Sequence, residues 1–387
     1  MSRPAVASGS LLKHFESLED PRVEYLVEHR LLDIIALTIC GVICGADSWV
    51  DIEAYGYSKA DWLQSFLALP GGIPSHDTIS RLFAMLEPAS LQSCFVNWVK
   101  SIAELSNGEV VAIDGKCVRR SYDHGKGKGA IHMVSAWASE NRLVLGQVKV
   151  DSKSNEITAI PKLLEVLDLQ GCIVTIDAMG AQTAIAQQII EQKADYILSL
   201  KGHQGDRHQD VEQLFDWAIK TQFKDIAHEY HPTLDKGHGR LEIRRHYLLG
   251  SVEYLLHAER WRGLKRIGMI ESERRIEGKP TTLERRYYLL SLDGDVQPFA
   301  AAVRSHWGIE NQLHWCLDVA FDEDQSRIRS GHAPENMTLM RKIALNLLTK
   351  EASVKIGKKA KRLKAGWNND YLLKVLAARV CVSHYTI

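Results

Sequence analysis

Three acidic residues stand where their chemistry could be used. Asp114 ends the apolar run of "VVAIDGK", Asp177 ends that of "CIVTIDAMG", and Glu310 lies in "HWGIENQLHWCLDVAFDED" (306–324). An apolar, β-branched run ending in Asp reads as a buried strand delivering a carboxylate at its C-terminal end. Open α/β sheets gather their ligand sites at such ends. A single Asp there is also ordinary turn chemistry. Two of them, with a Glu on a later helix, suit attack by water or a 3′-hydroxyl on a phosphodiester. That reaction needs the phosphate neutralised and the nucleophile activated, and two Mg²⁺ ions about 4 Å apart do both. Mg²⁺ prefers oxygen ligands, so a few carboxylates suit it. Without a cation the same cluster is repulsive, a poor structural device.

The stretch around Glu310 admits a rival reading. On an α-helix His306, Glu310 and His314 fall four apart on one face, and zinc sites do use two His and one Glu. Three such ligands, however, lie along a stripe roughly 12 Å long, too extended for one ion bound near 2 Å. No HExxH is present. Trp307, Leu313 and Trp315 read as the residues that pack this helix, with the two Trp holding it to the sheet. "DVAFDED" reads as a solvated acidic loop.

The elements that must position these residues follow from pattern. Residues 1–105 read as an all-α N-terminal domain. In it "IIALTICGVICGA" is a buried helix, too short for a membrane span. Ser75 caps "HDTISRLFAMLE", where Ile79, Leu82, Phe83 and Leu86 form a core stripe. That stripe favours a plain amphipathic helix over a helix-turn-helix reader presenting Ser75, His76, Thr78 and Arg81. From residue 106 to about 350 the order is β-β-β-α-β-α-β, a mixed sheet flanked by helices. Residues 205–292 interrupt it as an antiparallel β insertion of three strands. A basic segment, 351–387, ends the chain.

"AIDGK", "TIDAMGAQ", "YILSLKGHQ", "SHDTISRLF" and above all "HWGIENQLHWCLDVAFDED" resemble the RNase H-like DDE transposases of bacterial insertion sequences. Within these, the chain is most similar to the H-repeat-associated proteins linked to Rhs elements. The resemblance spans nearly the whole chain. It implies an RNase H-like catalytic domain in which Asp114, Asp177 and Glu310 hold two Mg²⁺, or Mn²⁺ as a substitute. It also implies cleavage at element ends, transfer of the 3′-hydroxyl into target DNA, and a homodimer on paired ends. One departure stands out. The related signature Y-x₂-R-x₃-E-x₆-K, aligned on Glu310, meets Val303, His306 and Leu317, so its Arg–Lys phosphate clamp is absent. Asp318 shares the helix face of Glu310 and gets no metal role on that ground. A nuclease of the same fold without strand transfer, or an inactive DNA-binding remnant, remain alternatives.

Partners and compartment follow from charge. The chain has 387 residues with 48 Lys and Arg against 48 Asp and Glu, so any DNA grip must be local. Residues 341–379 hold eleven Lys and Arg against Glu351 and Asp370. Within them Lys358, Lys359, Lys361 and Arg362 read as a phosphate-attracting patch. Lys116 and Lys201 follow site strands and, with His306 and His314, are further candidate DNA contacts; Gln182 is a weaker one. The pairs Arg244–Arg245, Arg274–Arg275 and Arg285–Arg286 extend the patch across the insertion. Seven cysteines without a CxxC pair read as buried free thiols in a reducing compartment. A cytoplasmic, nucleoid-associated protein is expected.

Overall fold

Apolar runs that alternate with Gly- and Pro-marked breaks set out the elements, which the computed structural model describes for residues 10–377 apart from 124, 126, 152, 153, 203–205, 225 and 238. Six helices come first: α1 (Ser10–Lys13), α2 (Leu31–Ile43), α3 (Trp49–Ser58), α4 (Ala60–Gln64), α5 (His76–Met85) and α6 (Pro88–Ile102). The Ser75 side chain accepts the Thr78 N–H and caps α5, whose Ile79, Leu82 and Phe83 are buried. The amphipathic reading of that helix holds. Helix α2 is buried along its whole length. Among the described residues no helix is long and apolar enough to cross a membrane.

The sheet begins with β1 (Val110–Cys117), β2 (His132–Ala138) and β3 (Leu143–Lys149), followed by α7 (Glu156–Val166), β4 (Ile173–Ile176), α8 (Thr183–Glu191) and β5 (Asp195–Leu200). The expected β-β-β-α-β-α-β order is thus present. Next come α9 (Asp206–Lys220), β6 (His228–Gly237), β7 (Arg240–Leu249), β8 (Arg266–Ile276) and β9 (Thr282–Leu290). All nine strands form one sheet in the order β3-β2-β1-β4-β5-β9-β8-β7-β6. Strands β1, β4 and β5 run parallel, and β9 joins β5 antiparallel. The insertion therefore extends the sheet, and it has four strands where three were expected. Strand β6 escaped because it lies at the edge, carries Pro232 and is partly exposed on both faces.

The last elements are α10 (Val296–Gly308), a π-helical turn (Ile309–His314), α11 (Trp315–Phe321), α12 (Ala333–Lys350), α13 (Lys358–Trp367) and α14 (Asn369–Leu376). Helix α12 is buried almost all round, as a central core helix is. It sits within one hydrophobic core that the N-terminal helices share with the sheet. Its polar side chains finish its neighbours' backbones. Asn346 accepts the Val144 N–H and donates to the Val144 carbonyl, both at 2.9 Å, on edge strand β3. Asn336 donates to the carbonyls of Phe83 and Leu86 at the end of α5. The six described cysteines are free. Cys117 is exposed and Cys44 half-buried, which corrects the expectation that all are buried.

Candidate active site

Strands β1 and β4 are adjacent, parallel and registered Ile113 to Ile176. Asp114 is the next residue of β1 and Asp177 the residue that follows β4, so the two lie side by side. Strand β1 itself runs on to Cys117, paired with β2, which corrects the expectation that Asp114 ends its strand. Asp177 also accepts the Met179 N–H at 3.0 Å, fixing the turn that follows. Glu310 arrives from above, in the π turn between α10 and α11. There the Trp315 N–H donates to the carbonyl of Glu310 itself, the i→i+5 bond of a π-helix. Such turns recur at functional sites because the extra residue re-aims side chains.

That turn corrects the helical-stripe argument for His306, Glu310 and His314. His306 lies before it, and its Nδ1 shares a 2.8 Å hydrogen bond with Thr175 Oγ1 on β4. His314 lies at its end, with Nδ1 3.5 Å from Asp114 Oδ2. Glu310 is exposed to a cavity of about 410 Å³ that Asp114, Asp177, Lys201, Arg286 and His306 also line. The three carboxylates expected to act together thus share one cavity.

The electrostatics agree with crowding of like charge. Burial above all, with the charges of Asp177, Glu156 and Glu310 and against one opposing N–H from Gly115, pushes the Asp114 carboxyl up to about 7. Burial holds His306 down to about 4, despite the charge of Asp177. Burial, with Lys342 and Lys116 nearby, holds His314 down to about 3. Both rings are therefore neutral at pH 7, and the approach of His314 to Asp114 is not an ion pair. Glu156, at the start of α7, was not singled out from sequence, and no motif marks it. The donors of the cavity are hard carboxylate oxygens under mutual repulsion, which fits a divalent cation. Among the described residues no three His, Cys, Asp or Glu side chains already stand in coordinating geometry.

Several expected contacts point elsewhere. Lys116 is mostly buried and clamped by Asp318 at 2.7 Å, Asp324 at 2.9 Å and Glu323 at 3.4 Å. "DVAFDED" is accordingly a counter-charge for Lys116, not a solvated loop, and Lys116 is no phosphate ligand. Lys361 is buried, donating to the carbonyls of Leu348 and Glu351. Arg362 is buried too, donating to the carbonyls of Val42 and Ala320 and to Asp47 while lying over Phe321. Lys358 donates to Leu348 O at 3.2 Å. Lys359 alone of these four is exposed. The helix turns the others inward, which overturns Lys361 and Arg362 as DNA contacts.

Lys201 lies where expected, 3.6 Å from Asp177 Oδ2. His203 and Gln204 of "SLKGHQ", and residues 378–387 of the basic segment, lie outside the described residues. The two Trp do not hold the helix: Trp307 is 37% and Trp315 62% exposed, while Ile309, Leu313, Cys316 and Leu317 pack it. Arg286 lies 5.2 Å over the ring of Trp307. Arg245 and Arg285 pair with Glu271 instead of extending a basic patch.

Known proteins match along the same lines. A family model described as "Transposase DDE domain" matches residues 106–347, and one described as "DDE_Tnp_1-associated" matches residues 12–99. The chain is 43% identical over 372 residues to "Putative transposase YncI" of Escherichia coli O157:H7, covering 95% of each chain. It is 42% identical over 371 residues to "H repeat-associated putative transposase YhhI" of Escherichia coli (strain K12), covering 95% of this chain and 97% of that one. A short relative named "Inactive transposase YbfQ" of the same strain is 44% identical over 72 residues, 19% of this chain and 86% of its own. With registered aspartates from neighbouring parallel strands, a cavity-facing glutamate and a family match over most of its length, the chain belongs to the DDE transposase family.

Proposed function

We propose that this protein is a DNA transposase that cleaves at the ends of an insertion sequence and joins the freed 3′-hydroxyl to target DNA, using Asp114, Asp177 and Glu310 as its triad. The observation that carries the reading is the meeting of these three carboxylates in one cavity, from neighbouring parallel strands and a π turn. The order β3-β2-β1-β4-β5 supports an RNase H-like assignment of that half of the sheet. The division into 1–105, 106–350 and 351–387 is retained as the domain reading.

Asp114, Asp177 and Glu310 would hold two Mg²⁺, which when bound neutralise the phosphate and stabilise the entering and leaving oxygens. Lys201, beside Asp177, offers a point charge to the phosphate. His306 stays neutral and fixes α10 to β4 through Thr175, so it does not replace the missing Arg as a charge. Joining at two ends requires two copies of the chain, hence a homodimer on double-stranded DNA.

The test is metal-dependent cleavage and joining of DNA carrying the element ends. Wild-type protein should cut with Mg²⁺ or Mn²⁺ and join, and Asp114→Asn should do neither while remaining folded. Absence of cutting by the wild type sinks the enzyme reading. Cutting without joining leaves a nuclease.

A further inference from the structure

Beside the carboxylate cavity lies a second, of about 330 Å³, beneath the antiparallel half of the sheet. Arg286, Tyr288, Val303 and Trp307 line both, so the two are contiguous. The register builds its floor. Thr233 pairs with Arg244 and Arg244 with Ser272 across β6, β7 and β8. The adjacent row runs His231, His246, Ile270 and Arg286. Side chains two apart on a strand share a face, so Arg244 and Arg286 both face the cavity. Helix α10 forms the wall and contributes Arg304.

Arg244 from the floor and Arg304 from the wall meet at one atom. Asp235 Oδ2 lies 2.7 Å from Arg244 Nη1 and 3.4 Å from Arg304 Nη2. Glu242 holds the other arm of Arg244 at 2.6 Å. Asp235 is 51% and Arg304 63% exposed by side chain, so this oxygen sits at the open side of the groove. A half-exposed ion pair contributes little stability. Guanidinium groups bind phosphate oxygens in the geometry they offer a carboxylate.

We propose that Arg244 and Arg304 form an anion subsite for a backbone phosphate of the DNA strand leading into the carboxylate cavity, and that Asp235 occupies it until DNA binds. The identity of the anion rests on the proposed function. Arg286, paired with Glu284 at 2.8 Å, lies between the two cavities on the way to Glu310. The position of β6 then has a use: the edge strand supplies the carboxylate that keeps two arginines apart and ordered in the absence of substrate.

The test is equilibrium binding of the full chain to a fluorescein-labelled duplex in EDTA, over a series of salt concentrations. Arg304→Gln should weaken binding by about fivefold and reduce the slope of log affinity against log salt by about 1. Asp235→Asn should tighten binding by about threefold, a gain that no folding defect produces. Unchanged affinity and slope in Arg304→Gln, or weaker binding by Asp235→Asn, would overturn the subsite. These readings separate from the catalytic one. If the two variants behave as expected while wild-type protein never cuts, the subsite stands and the enzyme reading fails. If cutting is normal and both variants bind like wild type, the subsite alone fails.

Discussion

Thr175 Oγ1 and His306 Nδ1 lie 2.8 Å apart, joining β4 two residues before Asp177 to α10 four residues before Glu310. This bond ties the helix that leads into the turn of Glu310 to the strand that leads into Asp177. Thr175→Val should lower the cleavage rate roughly tenfold, on the scale expected when catalytic groups are misplaced by a fraction of an ångström. DNA affinity should change little. Single-turnover cleavage beside equilibrium binding checks it, and equal loss in both would refute a positioning role.

Asp114 makes a prediction with an unusual sign. Its folded pKa is raised from 3.8 to about 7, so the native state binds a proton more tightly than the unfolded chain. Stability is therefore lost as pH rises from about 4 to 7, the reverse of a salt-bridged carboxylate. Asp114→Asn should raise the stability of metal-free protein at pH 8 by an amount on the order of 2 kcal/mol. Added Mg²⁺ should stabilise wild type more than the variant. Thermal melts at pH 5 and pH 8, with and without the ion, decide it.

The tail separates two kinds of cation. Arg362→Ala removes a buried guanidinium and strands several carbonyls, so it should destabilise by about 3 kcal/mol. Lys359→Ala, on the exposed face of α13, should leave stability within about 0.5 kcal/mol. Denaturant melts of both variants test the contrast, and equal effects would contradict the inward placement of Arg362.

Glu351 supplies an acid-sensitive lock on α13 and α14. Burial opposes its charge, but hydrogen bonds from Ser353 and Tyr371 and the charge of Lys361 prevail, holding its pKa at about 2 against 4.5. A depressed carboxylate stabilises above the unfolded pKa, and this contribution disappears as pH falls from about 4.5 towards 2. Glu351→Gln should cost about 2 kcal/mol at pH 7 and almost nothing near pH 2. A constant difference across that range would rule the lock out.

Much of the site was legible because apolar strand runs lead straight into Asp: "VVAID" and "IVTID" signal both burial and delivery, although β1 runs on past Asp114 to Cys117. The π turn was not legible, since no residue type marks it. Applying a 3.6-residue period across it placed His306, Glu310 and His314 on one stripe. Exposure of Trp315 was hidden for a related reason, because the extra residue changes which positions face the sheet. The basic tail misled because composition counts charges without saying which face of a helix they occupy. Lys361 and Arg362 reach backward to helix-end carbonyls, a role that their residue types serve equally well.

The two asparagines of α12 carry a consequence for synthesis. Asn346 closes the backbone of edge strand β3, and Asn336 closes the end of α5, yet both are made after every strand of the sheet. Until residues 333–350 leave the ribosome, Val144 on edge strand β3 lacks the Asn346 side chain that pairs its backbone, and the N-terminal helices lack their central partner. A nascent or prematurely terminated chain is thereby exposed to edge-to-edge aggregation. A frameshift upstream of Ala333 should therefore yield protein cleared by proteolysis, whatever the state of its carboxylates.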